Sequence, residues 1–276
     1  MKKSFAHLEP PVLAAVIKEK TPAAAIAAIR AAEEHGAMAF DLHLSCLDEE
    51  YQTVEQIKSI VDATEKPMLG LNYNVKVDTG IYECSEEDRV ALLWKAAEAG
   101  IAAVDIQGYT YDLAAKEGYH GDPSYSFAPV NPKEVVTDEA VIHRQRDLID
   151  AFHANGTEVL LSNHPLVRMT AEQILDLAKF VAERNPDVIK IVSWCETDRD
   201  VAEAVKAMVL LHSEIKGPQI HFHASGPKGR VTRLVNPLLG AYLTFCVDKY
   251  GPGHDVNQMP LATMKEIFDR AKQFMN

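Results

Sequence analysis

Two residues of this 276-residue chain stand where an idle polar group would be costly, Lys190 and His164. Lys190 lies in Val188-Ile189-Lys190-Ile191-Val192 and shares its parity with Val188 and Val192. A parallel strand is covered on both faces, so its ammonium has little access to water. Burial disfavours the charged form of an amine, and the neutral amine is the nucleophile that attacks a carbonyl. The competing reading is a lysine ion-paired inside the fold with Asp105 or Asp41. His164 ends Leu161-Ser162-Asn163-His164-Pro165, just beyond an apolar run, where it can serve as general acid and base. Together the two describe imine chemistry on a ketone.

Further polar residues interrupt other apolar runs. Asp41, His43 and Ser45 share one face of a strand, and Asp105 and Gln107 share a face of another. His221 and His223 alternate on a third, so both can face inward. With Asp41 and His43 these histidines could be read as metal ligands, a design with which an inward lysine competes. Ser225-Gly226-Pro227-Lys228-Gly229-Arg230 and Arg233 form a basic segment placed to hold a carboxylate or phosphate, or to serve as a solvated loop.

The elements that must position these residues follow from the alternation of short apolar runs with amphipathic stretches. Strands are expected at 11–17, 37–44, 67–72, 101–107, 157–162, 187–193, 219–224 and 239–248. Helices are expected at 22–35, 54–64, 86–99, 139–154, 170–184, 198–213 and 260–274. This pattern predicts one α/β domain over residues 1–276, a (β/α)8 TIM barrel, with a doubly wound sheet as the alternative. The irregular segment 108–138, rich in Tyr, His, Gly and Pro, is expected to cap the pocket. In a barrel the chemistry sits at the C-terminal ends of the strands, where His164 and Arg233 fall.

Composition narrows the partners. Hydrophobic residues make up 47% and charged residues 25%, enough for a sizeable core. A net charge of −12 argues against nucleic acid and anionic membrane surfaces. No apolar run approaches the roughly 18 residues of a membrane span, and the N-terminus lacks the apolar core of a signal peptide. Cys46, Cys84, Cys195 and Cys246 form no C-x-x-C pair and read as reduced thiols of a cytoplasmic protein.

Several segments together resemble the type I 3-dehydroquinate dehydratases. They are Lys66-Pro67-Met68-Leu69, Ala103-Val104-Asp105-Ile106-Gln107, Leu161-Ser162-Asn163-His164, Asp187-Val188-Ile189-Lys190-Ile191 and Gly229-Arg230-Val231-Thr232-Arg233-Leu234. The resemblance implies that Lys190 forms a Schiff base with the substrate ketone. It further implies that His164 moves the protons and that Arg233 holds a carboxylate. The imine itself is the electron sink, so no metal or other cofactor is expected; a homodimer is.

The departures from the family pattern are equally specific. Asp41 and His43 stand where the family has an acidic residue and an arginine, and Tyr73 stands at a second arginine position. Asp78-Thr79-Gly80 replaces a glutamate-glycine-glycine, and Tyr250 and His254 replace a serine and a glutamine. With Gln107 and His223 these positions form the expected substrate contacts. Losing two arginines fits a substrate with different hydroxyl placement or less negative charge, or a paralogue with a related elimination; the resemblance implies Schiff-base dehydration of a cyclic hydroxy-keto acid such as 3-dehydroquinate or a related compound. A class I aldolase, another imine-forming lyase on a keto acid or sugar, and a non-catalytic ligand-binding barrel are the rival readings.

Overall fold

The computed structural model describes residues 3–73, 84–251 and 255–275. Its strands are β1 (Val12–Ile17), β2 (Ala39–His43), β3 (Met68–Leu71), β4 (Ala103–Gln107), β5 (Glu158–Asn163), β6 (Val188–Trp194), β7 (Gln219–Ser225), β8 (Leu243–Val247) and β9 (Met259–Pro260). Its α-helices are α1 (Pro22–Glu34), α2 (Val54–Val61), α3 (Glu86–Glu98), α4 (Ala114–Glu117), α5 (Glu139–Ala154), α6 (Ala171–Ala182), α7 (Asp198–Glu214), α8 (Thr232–Leu238) and α9 (Leu261–Met275). Each of the eight expected strands is present, trimmed or shifted by a few residues. Two compact units emerge, one of residues 1–105, 155–158 and 244–276, the other of 106–154 and 159–243.

In the first unit β1 pairs in parallel with β2, β2 with β3, and β3 with the start of β4. All six residues of β1 are buried, as expected of a strand covered on both faces. Thr21 caps α1 by accepting from Ala24 N at 3.2 Å, and Pro22 takes the first helical position, where its missing N–H costs nothing. Glu158, also in this unit, accepts from the amides of Phe5 and Ala6 at 2.6 and 2.8 Å. The two-residue β9 pairs with β8 and was not foreseen, being too short to carry a periodic signal.

In the second unit β5 pairs in parallel with β6, and β6 with β7. Thr170 and Thr197 cap α6 and α7 in reciprocal capping boxes, with Gln173 and Asp200 as the returning side chains. The 108–138 segment packs on this unit rather than hanging from it. Tyr109, Ala115, Val136 and Ile142 form a small core of their own against Val141 and Phe180. Gln145 donates to the carbonyls of Gly108 and Thr110 at 3.0 and 2.8 Å. Buried Arg184 donates to Gln145 Oε1, Val136 O and Phe180 O, each at 2.9 Å.

The basic stretch after β7, expected as a loop, is instead a 3-10 turn (Gly229–Val231) running into α8. With only seven residues, and Asn236, Pro237 and Gly240 as punctuation, α8 carries the marks of a loop. Tertiary bonds hold it. Thr232 Oγ1 accepts from Ala224 N at 2.8 Å and donates to Gly229 O at 2.6 Å, and Asn236 donates to Phe222 O at 2.9 Å.

Candidate active site

Lys190 is the third residue of β6, which is buried along six of its seven positions. It is only 7% exposed and sits in register between Ser162 of β5 and His221 of β7. His164 follows β5 immediately. Its Nδ1 lies 2.7 Å from Glu134 Oε2, and the same oxygen accepts from the His164 backbone N–H at 3.0 Å. A carboxylate accepts and cannot donate, so Nδ1 carries a proton and Nε2 is the ring nitrogen that can give and take one. Both side chains are largely enclosed, at 17% and 12% exposure, so the bond is little screened.

Sequence reasoning missed Glu134. It lies at the far end of the 108–138 segment, in a stretch read as irregular, and nothing local marks it. The backbone does mark it: Glu134 adopts φ +60, the left-handed region that non-glycine residues seldom enter. Gly108 is what lets it approach. A Cβ there would lie 2.2 Å from Glu134 O and 2.4 Å from Asn163 Oδ1, so every larger residue collides with the backbone that presents the carboxylate.

His221 and His223 follow on β7, opposite Lys190 and Val192. His223 Nδ1 and His221 Nε2 are 3.1 Å apart, and the residues are 2% and 3% exposed. Burial pushes both imidazoles well below the ordinary histidine range. Lys190 and then Arg233 add to the shift for His221; Arg233, His221 and Lys190 add to it for His223. Both rings are therefore neutral at neutral pH. Arg233 stands in the first turn of α8, which Thr232 and Asn236 pin to β7. Gln107 ends β4, fully buried, and its carbonyl accepts from Thr110 N and Oγ1.

The second unit thus brings together Lys190, His164, Arg233, His223 and Gln107 of the expected residues, and adds Glu134 and His221. Asp41, His43 and Tyr73 belong to the first unit. There His43 Nε2 lies 3.4 Å from Asp41 Oδ2, and the His43 and Tyr73 rings are 6.2 Å apart. Tyr250 is half-exposed, and its hydroxyl donates to Gln258 O at 2.9 Å. Asp78 and His254 lie outside the described residues. Among the described residues no group of three or more His, Cys, Asp or Glu is placed to share a metal ion, and no helix is long and apolar enough to cross a membrane.

Known proteins give this arrangement a family. A family model described as type I 3-dehydroquinase matches residues 125–274, more than half of the chain. The 3-dehydroquinate dehydratase of Klebsiella pneumoniae (strain 342) is 24% identical over 229 residues, 82% of this chain and 78% of that one. That of Methanosarcina acetivorans is 27% identical over 220 residues, 78% and 77% of the two chains. Among solved structures, the type I 3-dehydroquinate dehydratase of Clostridium difficile, determined with covalently modified comenic acid, has TM-score 0.74 at 14% identity and covers 99% of each chain. The 3-dehydroquinate dehydratase of Geobacillus kaustophilus has the same TM-score and identity over 100% of this chain and 98% of that one. At such identities the likeness is one of fold, and the fold is the expected (β/α)8 class of α/β protein. With the match across residues 125–274, the chain belongs to the type I 3-dehydroquinase family of lyases.

Proposed function

We propose that this chain is a Schiff-base dehydratase that removes water from a cyclic hydroxy-keto acid, 3-dehydroquinate or a close relative of it. The observation that carries the proposal is the buried Lys190 in one unit with a His164 whose Nδ1 is tied to Glu134. Family membership supplies the reaction class.

In this reading Lys190 Nζ attacks the ketone carbon, and the carbonyl oxygen departs as water to leave a protonated imine. His164 Nε2, held as a base by the Glu134 bond at Nδ1, takes the proton α to the imine. The electron pair moves into the imine to give an enamine, then returns to expel the β-hydroxyl, which leaves as water with the proton from His164. Water adds to the remaining imine, and its collapse frees Lys190 and the unsaturated ketone. Arg233 offers a planar, permanently charged donor for the carboxylate. Gln107 and His223, in the same unit as Lys190, are substrate contacts in this reading, and Asp41, His43 and Tyr73 keep that role from the resemblance alone. Asp78, Tyr250 and His254 keep that role from the resemblance alone, as do the homodimer and the cytoplasmic location.

Borohydride in the presence of 3-dehydroquinate should leave a reduced adduct on Lys190, seen by mass spectrometry of the digested protein. Lys190→Ala should give neither adduct nor product. A wild-type protein that turns over the ketone without an adduct would refute the imine. Two carbon fragments instead of a product lighter by one water would make the protein an aldolase.

A further inference from the structure

The stretch that follows His164 leads into a groove of about 670 Å³ that the proposed chemistry does not use. A space of that size holds a small molecule. Its apolar surface comes from Val130 of the 108–138 segment, from Leu166 and Met169, and from Trp194, the last residue of β6. All belong to the second unit. Val130 and Leu166 are 57% and 38% exposed. A single exposed apolar residue is ordinary, but apolar side chains from three segments converging on one concavity mark a place that receives a ligand.

The surface is fixed in advance. Leu166 adopts φ +52, the left-handed region that costs a bulky side chain free energy. Hydrogen bonds hold the stretch there: Leu166 N donates to Val192 O at 3.1 Å, Trp194 N to Val167 O at 3.0 Å and Lys133 N to Pro165 O at 3.1 Å. Trp194 is held as closely, its Nε1 donating to Glu196 Oε2 at 2.9 Å. A Cβ at Gly226 would lie 2.7 and 2.9 Å from Trp194 Cε2 and Cδ2, the two carbons shared by the indole rings. Those atoms can be approached so closely only across the ring plane. Gly226 therefore backs one face of the indole, and the other is left to the groove, where an aromatic ring can stack.

The charged groups that line the groove differ in what they already hold. Asp200 accepts from Arg168 Nε at 3.0 Å, from Thr197 N and Oγ1 at 2.8 Å and from Glu196 N at 3.0 Å. Glu203 accepts from Ala171 N at 2.9 Å. Arg199 is exposed in the first turn of α7 and makes no hydrogen bond or ion pair among the described residues. Its planar fork matches a carboxylate with two parallel bonds, while the carboxylates beside it are already engaged. The groove thus favours an anion with an apolar body.

We infer that this groove is a binding site for a small aromatic carboxylate, its ring against Trp194, Leu166 and Val130 and its anion on Arg199. Among the described residues neither Lys190 nor His164 lines it, and no covalent step is involved.

Benzoate is the probe, with benzyl alcohol as the ring without the charge and acetate as the charge without the ring. The indole N–H signals of the two tryptophans, Trp94 and Trp194, are followed by nitrogen–proton NMR, and Trp194→Phe shows which is which. Benzoate should shift the Trp194 signal saturably, and benzyl alcohol should bind about 10-fold more weakly or worse, since it lacks the charge-assisted bond. Acetate should leave the signal in place. Arg199→Gln, at an exposed position where the fold does not depend on it, should weaken benzoate as much as removing the ligand's charge does. No saturation at millimolar benzoate would overturn the inference. So would a benzoate affinity matched by benzyl alcohol or acetate, or one unchanged in Arg199→Gln. The titration does not involve Lys190, so borohydride trapping decides the imine separately.

Discussion

Replacing Glu134 tests the proposed chemistry most directly, because its effect should reach His164 without touching substrate. Glu134→Gln keeps the shape of the side chain and one acceptor oxygen but removes the charge. Glu134→Ala removes the acceptor for both His164 Nδ1 and the His164 amide. A hydrogen bond to a charged group contributes about 1.5–3 kcal/mol, and each 1.36 kcal/mol at the transition state is a factor of about ten in rate. If that bond holds the imidazole as the base, kcat should fall roughly 10-fold in the glutamine variant and roughly 100-fold in the alanine variant. KM should change little, since neither lost bond is made to the substrate. Steady-state kinetics on 3-dehydroquinate gives both quantities, and thermal melting separates the effect from lost stability. A nitrogen NMR spectrum in which His164 no longer holds its proton on Nδ1 would tie the rate loss to the tautomer. If kcat in both variants stays within about twofold of wild type while the fold is intact, Glu134 does not orient the base.

Other perturbations probe the supports of the site. Gly108→Ala should reproduce much of the Glu134→Ala rate loss, because the new Cβ would collide with Glu134 O and Asn163; activity and melting unchanged from wild type would refute the close approach. Arg184→Leu strips the donor from Gln145, Val136 O and Phe180 O and should cost about 3 kcal/mol or more, measured by urea unfolding. Burial raises the Asp200 carboxyl, but Arg168, Thr197 and the Glu196 amide outweigh it and hold it down to about 2. The folded value thus lies below the unfolded one of about 3.9, so the contribution is complete at neutral pH and is lost as pH falls from roughly 4 towards 2. Asp200→Asn should flatten that part of the stability profile, and an unchanged acid limb would contradict it.

The alternation of apolar runs made the eight strands legible in the sequence, because covered parallel strands and their helices leave separate periodicities. A lysine amid β-branched residues announced itself for the same reason: a charge in such a run needs a use or a partner. His164 and Arg233 were found from their positions after strands. The elements that escaped, β9, α4 and α8, are short and held by contacts distant in sequence, such as Asn236 to Phe222 O, Glu134 N to Ala115 O and Cys246 to Met259. Glu134 escaped for a related reason. Thirty residues separate it from His164, and its approach depends on a left-handed backbone and a glycine at 108 that no local pattern connects. The sequence by itself determined the candidate residues and the strands that carry them, since these follow from chemistry and period. Only the tertiary structure decided which carboxylate meets His164 and that His221 and His223 lie within hydrogen-bond distance of each other, because such pairings depend on distances that a linear chain does not contain.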